Sequence, residues 1–244
     1  MEFSYKGYTR LLDLIKEHNY HFCNYHDYPD HPRCVILRHD IDNQIDRALK
    51  MAEIESDKGV KSTYFVLLTT DFYNVASEKN RAMIKQMQSL GHEIGLHYDE
   101  ASYGTEESEE TNVSHILREA RILSDIIETP VTTVSMHRPS RRTLDADLQI
   151  PGMINSYGKL FFKEFKYLSD SRRNWREPVM DIVKSEEFER LHILTHAFWY
   201  NEEEIDIGRT VREYILSANK ERYASMLTNI RDLESIMKKE DAEK

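Results

Sequence analysis

Two carboxylates and a histidine directly follow an apolar run near the N-terminus of the chain. The run CVIL at 34–37 continues into RHDID at 38–42, which places Asp40 and Asp42 one residue apart beside His39. Histidine nitrogens and carboxylate oxygens, with no cysteine among them, suit a divalent metal ion, most of all zinc. A second carboxylate near such a metal can take a proton from the metal-bound water. The stretch therefore indicates metal-assisted hydrolysis of an amide or ester.

Four later segments with strand character also end in ionisable side chains. They are EIGL before His97, TVSM before His137 and Arg138, FKYLS before Asp170, and LHILT before His196. The carboxyl ends of parallel strands share one edge of an α/β sheet, and the chemistry of such folds lies at that edge. We therefore expect these side chains to converge with RHDID, where a histidine on the far side would protonate a leaving amine.

The elements that must position these groups alternate between strand and helix. Apolar residues recur at helical spacing in 43–58, 77–90 and 112–127, and runs rich in β-formers lie between them. A long amphipathic helix at about 205–236 closes the chain. This rhythm predicts parallel βαβ units in an α/β fold. No composition shift marks a boundary, so we expect a single domain over 1–244.

Composition narrows the classes of function. The chain has 244 residues, of which 40% are hydrophobic and 31% charged, an ordinary balance for a soluble protein. The formal charge of −10 argues against binding to nucleic acid or docking on anionic lipid. Two cysteines do not make a disulfide framework, and there is no apolar leader or run of about 20 apolar residues. We expect a cytoplasmic protein without stable membrane insertion.

Several short motifs together resemble the polysaccharide deacetylase family, the NodB homology domain. In the family's order they are RHDID, STYFV, GHEIGLH, HRPS, DSRRNW and LTH, and they span about residues 33–200. GHEIGLH is the specific signal, whereas the RP pair of HRPS is weak alone. The set looks closest to the deacetylase-like proteins of O-antigen or capsule clusters. The resemblance implies a single-domain, distorted (β/α) barrel and a metal-dependent enzyme that removes an N-acyl group, acetyl first of all, from a sugar.

The resemblance also implies roles for individual residues. Asp40 matches the catalytic base, although the spacing to the metal-binding Asp42 is one residue longer than in many members. His97 matches the first metal-binding histidine. Arg138 matches the arginine that orients the base, and His196 matches the late histidine that acts as general acid.

A second group of residues is expected to contact the substrate. Trp175 looks like the tryptophan that lines the family's substrate pocket, and Asp170 or Arg172 would act as its charged partner. Trp199 lies in the aromatic run AFWY after the general acid, where it would wall a sugar pocket or else fill core.

One departure from the family concerns the third metal ligand. The family's second motif is H-[S/T]-x-x-H, but the segment at 97–101 reads HYDEA, and Ala101 cannot bind a metal. We predict His137 as the replacement, because it ends an adjacent strand where the family usually has an apolar residue. His39 and Asp99 are second choices.

Structural explanations for the same residues stay open at this stage. Asp42 would serve well as the N-cap of the helix that starts near Asn43. His97 could be a satisfied core histidine, and His137 is as well explained by a pocket wall as by a ligand. The acidic stretch 99–112 is predicted to be an exposed loop.

The function carries alternatives as well. The chain could be a non-catalytic protein of this fold that binds a glycan or a biosynthetic partner, with Ala101 as the symptom. It could also be a deformylase or cyclic amidase with the same machinery. The expected substrate is a nucleotide-linked or lipid-linked sugar, whose phosphates need basic partners. The candidates are Arg141, Arg142, Arg172, Arg173 and Arg176.

Overall fold

The structure is a computed structural model that describes residues 1–104 and 108–242. The chain divides into two compact units, Met1–Glu202 and Glu203–Lys244. In the part of the chain that the structure describes, no helix is both long and apolar enough to cross a bilayer. The expectation of one domain over the whole chain stays a prediction.

The first unit is built on a parallel sheet that curls into a half-barrel. Its described strands are β1 (His21–Cys23), β2 (Cys34–Ile41), β3 (Thr63–Leu67), β4 (Glu93–Tyr98), β5 (Thr133–Met136), β6 (Ile154–Asn155), β7 (Lys166–Ser169) and β8 (Arg190–Thr195). The strand order is β6-β5-β4-β3-β2-β8-β7, and β1 pairs with the first half of β2. Each described pairing is parallel. The predicted α/β class, with a distorted (β/α) barrel, is confirmed.

Helices surround this sheet. They are α1 (Tyr5–Glu17), α2 (Ile45–Asp57), α3 (Glu78–Ser89), α4 (Glu109–Ile127), α5 (Arg141–Ala146), α6 (Lys159–Lys163) and α7 (Val179–Ser185). The predicted helices at 43–58, 77–90 and 112–127 correspond to α2, α3 and α4. The second unit contains α8 (Ile207–Asn229) and α9 (Leu233–Ile236), so the helix expected over about 205–236 is interrupted after Asn229.

The acidic stretch 99–112 is only partly an exposed loop. Asp99 and Glu100 are buried, and a 3₁₀ turn covers Glu100–Ser102. Positions 105–107 lie outside the described residues. Ser108 caps α4 by accepting a hydrogen bond from the backbone N–H of Thr111, so the stretch ends as the first turn of a helix. The acidic, polar composition of the stretch favoured a loop, so this helix cap was not identified from the sequence.

The central strand β2 is buried on both faces, so each of its polar side chains points either into the barrel or towards the helices. Leu37 and Ile41 belong to the large core between sheet and helices, whereas Cys34 and Ile36 belong to a separate cluster with Phe65 inside the barrel. Side chains alternate along a strand with a period of two. The even-numbered positions of β2 therefore face the barrel interior, and the odd-numbered positions face the helices.

The second glycine of GHEIGLH has a packing reason. A Cβ atom on Gly95 would lie 2.5 Å from the ring of Phe65 and 2.7 Å from the hydroxyl oxygen of Thr133. Glycine is therefore the residue that lets β4 lie against the neighbouring side chains of β3 and β5. The motif thus contributes to the barrel wall as well as to the candidate site that follows it.

A buried carboxylate on α4 makes stability depend on pH. Glu119 is buried; its Oε1 accepts a hydrogen bond of 2.6 Å from the Tyr103 hydroxyl, and its Oε2 has no hydrogen-bond partner among the described residues. Burial raises the pKa of Glu119 from 4.5 to about 7. Since the folded state binds this proton more tightly than the unfolded state, the stabilisation is complete below pH 4.5 and is lost as the pH rises through 7.

We expect Glu119→Gln to raise the free energy of unfolding at pH 8 by about 1–3 kcal/mol, because it removes a buried charge. The gain should shrink towards zero at about pH 4.5. Urea denaturation of both proteins across this range measures the difference. The control Glu110→Gln changes an exposed residue in the first turn of α4 and should lose about 0.3–1 kcal/mol instead. An equal Glu119→Gln effect at pH 5 and pH 8 would contradict the assignment.

Candidate metal centre and catalytic site

Three candidate metal ligands meet at the carboxyl ends of β2, β4 and β5. Asp42 Oδ1 lies 3.2 Å from His97 Nε2 and 3.2 Å from His137 Nδ1. The two ring nitrogens lie 3.1 Å from each other. Asp42, His97 and His137 are the group of metal-binding side-chain types that comes together within the described residues.

The spacing of these three atoms fits a divalent metal ion. Ligand atoms about 2.0–2.1 Å from a tetrahedral zinc ion lie roughly 3.3–3.4 Å apart, close to the observed triangle. Asp42 Oδ1 is buried yet accepts no well-aligned hydrogen bond from the described residues. Burial favours the protonated form of Asp42, but the adjacent imidazoles of His137 and His97 hold its pKa well below the ordinary value. The donor set is thus an ionised carboxylate and two imidazoles, with a fourth position left for water or substrate.

The structure places the second-choice ligands elsewhere. His39 occupies an odd-numbered position of β2 and points towards the helices, where its Nε2 lies 2.7 Å from Glu55 Oε1 and its Nδ1 2.6 Å from Thr195 Oγ1. Asp99 Oδ2 accepts a hydrogen bond of 3.0 Å from Arg138. Neither side chain joins the group of Asp42, His97 and His137: His39 lies on the other face of its strand, and Asp99 pairs with a cation.

Asp40 lies beside the three ligands and shares a cavity with them. Its Oδ2 is 3.7 Å from His97 Nε2 and accepts a hydrogen bond of 2.7 Å from Arg38 Nη2. Its Oδ1 has a longer contact, 3.5 Å, with the Ser135 hydroxyl. One carboxylate oxygen is therefore occupied by a cation, while the other is available for a proton.

Arg38 is the residue that holds Asp40, a role that we had expected of Arg138. The Arg38 side chain is completely buried; its Nη1 donates to Ser156 Oγ at 2.7 Å, and its guanidinium carbon lies 5.2 Å from the ring centroid of Phe65 and 5.1 Å from that of Tyr157. The Arg138 side chain is 72% exposed and pairs with Asp99. Arg138 follows β5 and lines the same cavity, but its described contact is with Asp99, so an orienting role for Arg138 stays a prediction. Arg38 precedes Asp40 by two residues on one strand, so the period of two could have identified it.

His196 forms the opposite side of the acid–base arrangement. Its Nδ1 lies 2.6 Å from Asp170 Oδ1, and its Nε2 lies 4.0 Å from Asp42 Oδ2. Burial lowers the pKa of His196, but the negative charge and hydrogen bond of Asp170 outweigh burial and raise the pKa to about 9. His196 therefore carries a proton at neutral pH and holds its Nε2 towards the candidate metal ligands.

Asp170 lies behind His196 and contacts both its ring and its backbone. It is completely buried, both of its oxygens accept the His196 backbone N–H at 3.1 Å, and Oδ2 also accepts the Tyr200 hydroxyl at 3.1 Å. Because β7 and β8 are neighbours, the Asp170 carboxylate lies against His196, and the expected contact of Asp170 with substrate stays a prediction.

A cavity of about 390 Å³ connects these groups with part of the predicted substrate site. Besides Asp40, Asp42, His97, His137 and His196, its lining includes Arg138, Arg172, Arg176, Tyr157, Phe198 and Trp199. Arg172 and Trp199 therefore lie where we expected a substrate contact. Trp175 is half-buried against the core and is not among the described residues that line this cavity, so its expected substrate contact stays a prediction.

Comparisons with known proteins give matches among solved structures only. No family model matches the sequence, and no curated protein does. One similar structure is a mutant, with restored activity, of a CE4 family pseudoenzyme from Bacillus anthracis; its TM-score is 0.46 and its identity 18%, over 69% of this chain and 58% of the other. This chain thus covers less than two thirds of that protein.

Two further structures have similar scores. The Streptococcus pyogenes deacetylase PplD, in complex with acetate, has a TM-score of 0.46 and 14% identity, over 77% of this chain and 79% of the other. A family 4 carbohydrate esterase from Bacillus anthracis has a TM-score of 0.44 and 15% identity, over 76% of this chain and 75% of the other. No residue role follows from similarities at this level.

Proposed function

We propose that this protein is a metal-dependent hydrolase that removes an N-acyl group, acetyl first of all, from a sugar. The observation that carries the proposal is the meeting of Asp42, His97 and His137 within 3.2 Å, beside a second carboxylate and a protonated imidazole. Metal-assisted amide hydrolysis needs these parts. The choice of a sugar amide, and of surface-polysaccharide biosynthesis as its setting, is supported by the sequence motifs.

Asp42, His97 and His137 would hold the metal ion. Their oxygen and nitrogen donors suit zinc. His137 would replace the second histidine of the family motif, whose position is occupied by Ala101 in this chain. When bound, the ion would polarise the acyl oxygen and acidify the attacking water. His97 Nδ1 is buried without a hydrogen-bond partner among the described residues, so no second hydrogen bond behind the ring helps to orient it.

Asp40 would take the proton of the attacking water at Oδ1. Arg38 occupies Oδ2 through a hydrogen bond of 2.7 Å, which fixes the carboxylate plane beside the cavity. The ligand His97 is within 3.7 Å of the same carboxylate, so the base lies next to the metal position. A general base must lie within hydrogen-bond reach of the water that it deprotonates, and the position of Asp40 next to the candidate ligands supports this role.

His196 would donate a proton from Nε2 to the leaving amine. Asp170 accepts the hydrogen bond of Nδ1, which fixes the ring orientation and keeps the imidazole protonated. Protonation of the nitrogen is needed because an amine anion is a poor leaving group. Asp40 and His196 thus take the base and acid roles within one cavity.

A cytoplasmic location is proposed on the state of the thiols. Cys23 and Cys34 are both buried and free, which suits a reducing compartment.

The metal site is tested by His137→Ala. We expect purified protein to bind about one divalent ion per chain, and the variant to lose at least the roughly 10- to 100-fold in affinity that even outer-shell residues contribute. Metal analysis and competition with a chromogenic chelator measure both quantities. The control His26→Ala removes an exposed histidine that pairs with Glu93, outside the cavity, and should bind as the unchanged protein does.

Two results would contradict the proposal. Unchanged metal affinity in His137→Ala would remove His137 from the ligand set. Absence of metal from the unchanged protein would contradict the proposal of a metal-dependent enzyme and favour a non-catalytic protein. Ala101, in place of the motif's histidine, is the observation that supports this alternative. A panel of N-acetyl and N-formyl sugars tests the bond, since release of formate alone would make the protein a deformylase.

A further inference from the structure

A group of arginines lies at the same cavity as the candidate metal ligands. Arg138, Arg172 and Arg176 line it together with Asp42 and His196. The whole chain carries a formal charge of −10, so this local excess of positive charge runs against the balance of the protein. The proposed hydrolysis of a neutral N-acyl group assigns no role to these three arginines.

Two of these arginines have no partner among the residues that the structure describes. Arg138 donates to Asp99 at 3.0 Å, and Arg38 deep in the barrel donates to Asp40. Arg172 and Arg176, in contrast, are exposed and make no hydrogen bond or ion pair within residues 1–104 and 108–242. Their guanidinium groups are therefore available to a ligand in the cavity.

The backbone conformation is unusual in the loops that carry these arginines. Arg138, Arg172 and Arg173 have φ angles of 47°, 58° and 56°, in the left-handed region that non-glycine residues rarely adopt. The other described non-glycine residues with positive φ follow helix ends, where this conformation is ordinary; they are Asn19, Glu128, Asp147 and Glu186. Strain of about 1–3 kcal/mol per residue is found mostly where function requires it.

The remaining walls of the cavity suit a sugar ring. Tyr157, Phe198 and Trp199 line it, and aromatic faces pack against the apolar face of a sugar. The volume of about 390 Å³ lies near the lower end of the range for small-molecule sites, roughly 300–1,000 Å³. One sugar unit with a charged substituent fits such a volume better than a stretch of polymer.

We propose that Arg172 and Arg176 form an anion subsite that binds the phosphate group of a phosphorylated sugar, with Arg138 at its edge. Guanidinium groups bind phosphate oxygens through paired, charge-assisted hydrogen bonds. The proposal rests on the proposed function for the sugar that occupies the rest of the cavity, but phosphate binding itself requires no hydrolysis.

Calorimetric titration of the full chain tests the subsite. The probes are N-acetylglucosamine 1-phosphate, uridine diphosphate N-acetylglucosamine and the neutral methyl glycoside of N-acetylglucosamine. We expect the phosphorylated probes to bind at least about tenfold more tightly than the neutral one, as loss of a charged hydrogen bond would predict. The two phosphorylated probes separate a sugar monophosphate from a nucleotide diphosphate source. Each titration is repeated after metal removal, so that phosphate bound to metal is not counted.

The double variant Arg172→Ala/Arg176→Ala should abolish the preference for phosphorylated probes, and Arg176→Glu should reverse it. The matched control Arg141→Ala/Arg142→Ala removes the same charge from exposed positions on α5 that do not line the cavity, and should keep the preference. Equal affinity for neutral and phosphorylated probes, or an equal loss in both double variants, would overturn the subsite. A retained preference without any acyl release would leave the subsite standing and remove the proposed function.

Discussion

Replacement of Asp40 by Asn should lower kcat by about 10²- to 10⁴-fold, the contribution of a general base. The amide can still accept a hydrogen bond from Arg38, so the side chain keeps its place, but it cannot take a proton from water. Asp40 is not one of the three ligands whose atoms meet at the candidate metal position. Metal content should therefore stay near one ion per chain.

The measurement is steady-state release of the acyl group, with metal analysis and a thermal melt on the same preparations. The control Asp99→Asn changes a buried carboxylate that pairs with Arg138 and does not line the cavity. It should change kcat far less. If Asp40→Asn kept kcat within tenfold of the unchanged protein while binding metal, Asp40 would not be the base.

Replacement of Arg38 by Met should lower the free energy of unfolding by about 3–5 kcal/mol. The substitution leaves the Asp40 carboxylate buried without its cation, and such a charge costs more than the pair contributes when intact. It also removes the hydrogen bond to Ser156. Denaturant unfolding, read by fluorescence, gives the change directly.

A double-mutant cycle isolates the pair. Arg38→Met combined with Asp40→Asn should cost clearly less than the sum of the single changes, because neither charge is then left alone. Arg38→Lys, which keeps a positive charge, should recover part of the stability and part of kcat. Arg138→Met is the comparison, since its exposed side chain should change stability by no more than about 0.5 kcal/mol. A larger effect at Arg138 than at Arg38 would reverse our assignment.

The positions at which strands end could be predicted from the sequence, but the directions of the side chains at those positions could not. His97, His137 and His196 each follow an apolar run, and parallel topology alone brings such positions to one edge. The same argument brought Arg138 and Asp170 to that edge but could not say which way their side chains turn. Direction depends on the loop backbone for Arg138 and on contact with His196 for Asp170.

The replacement for the missing histidine illustrates how register decides a ligand set. His97 pairs with Ser135, and the backbone N–H of His137 donates to the Tyr98 carbonyl at 2.7 Å. This pairing brings the His137 ring beside His97, although 40 residues separate the two along the chain. Position 101 is an exposed residue in the 3₁₀ turn beyond β4, so Ala101 is outside the cluster. Spacing along one motif could not reveal a ligand contributed by the next strand.

The buried pair of Arg38 and Asp40 has a consequence for how such a protein can drift in evolution. A lineage that no longer needs catalysis cannot discard Asp40 alone, because Arg38 would remain as an uncompensated charge inside the barrel. Among the described residues, Asp42 pairs with no fully buried arginine; its charged neighbour is His196, whose Nε2 lies 4.0 Å from Asp42 Oδ2 and whose side chain is partly exposed, so losing Asp42 leaves a less deeply buried charge alone. In related chains that have lost activity, Asp40 would therefore be retained as the counter-ion of Arg38. The presence of Asp42 would be the better indicator that a chain is still catalytic.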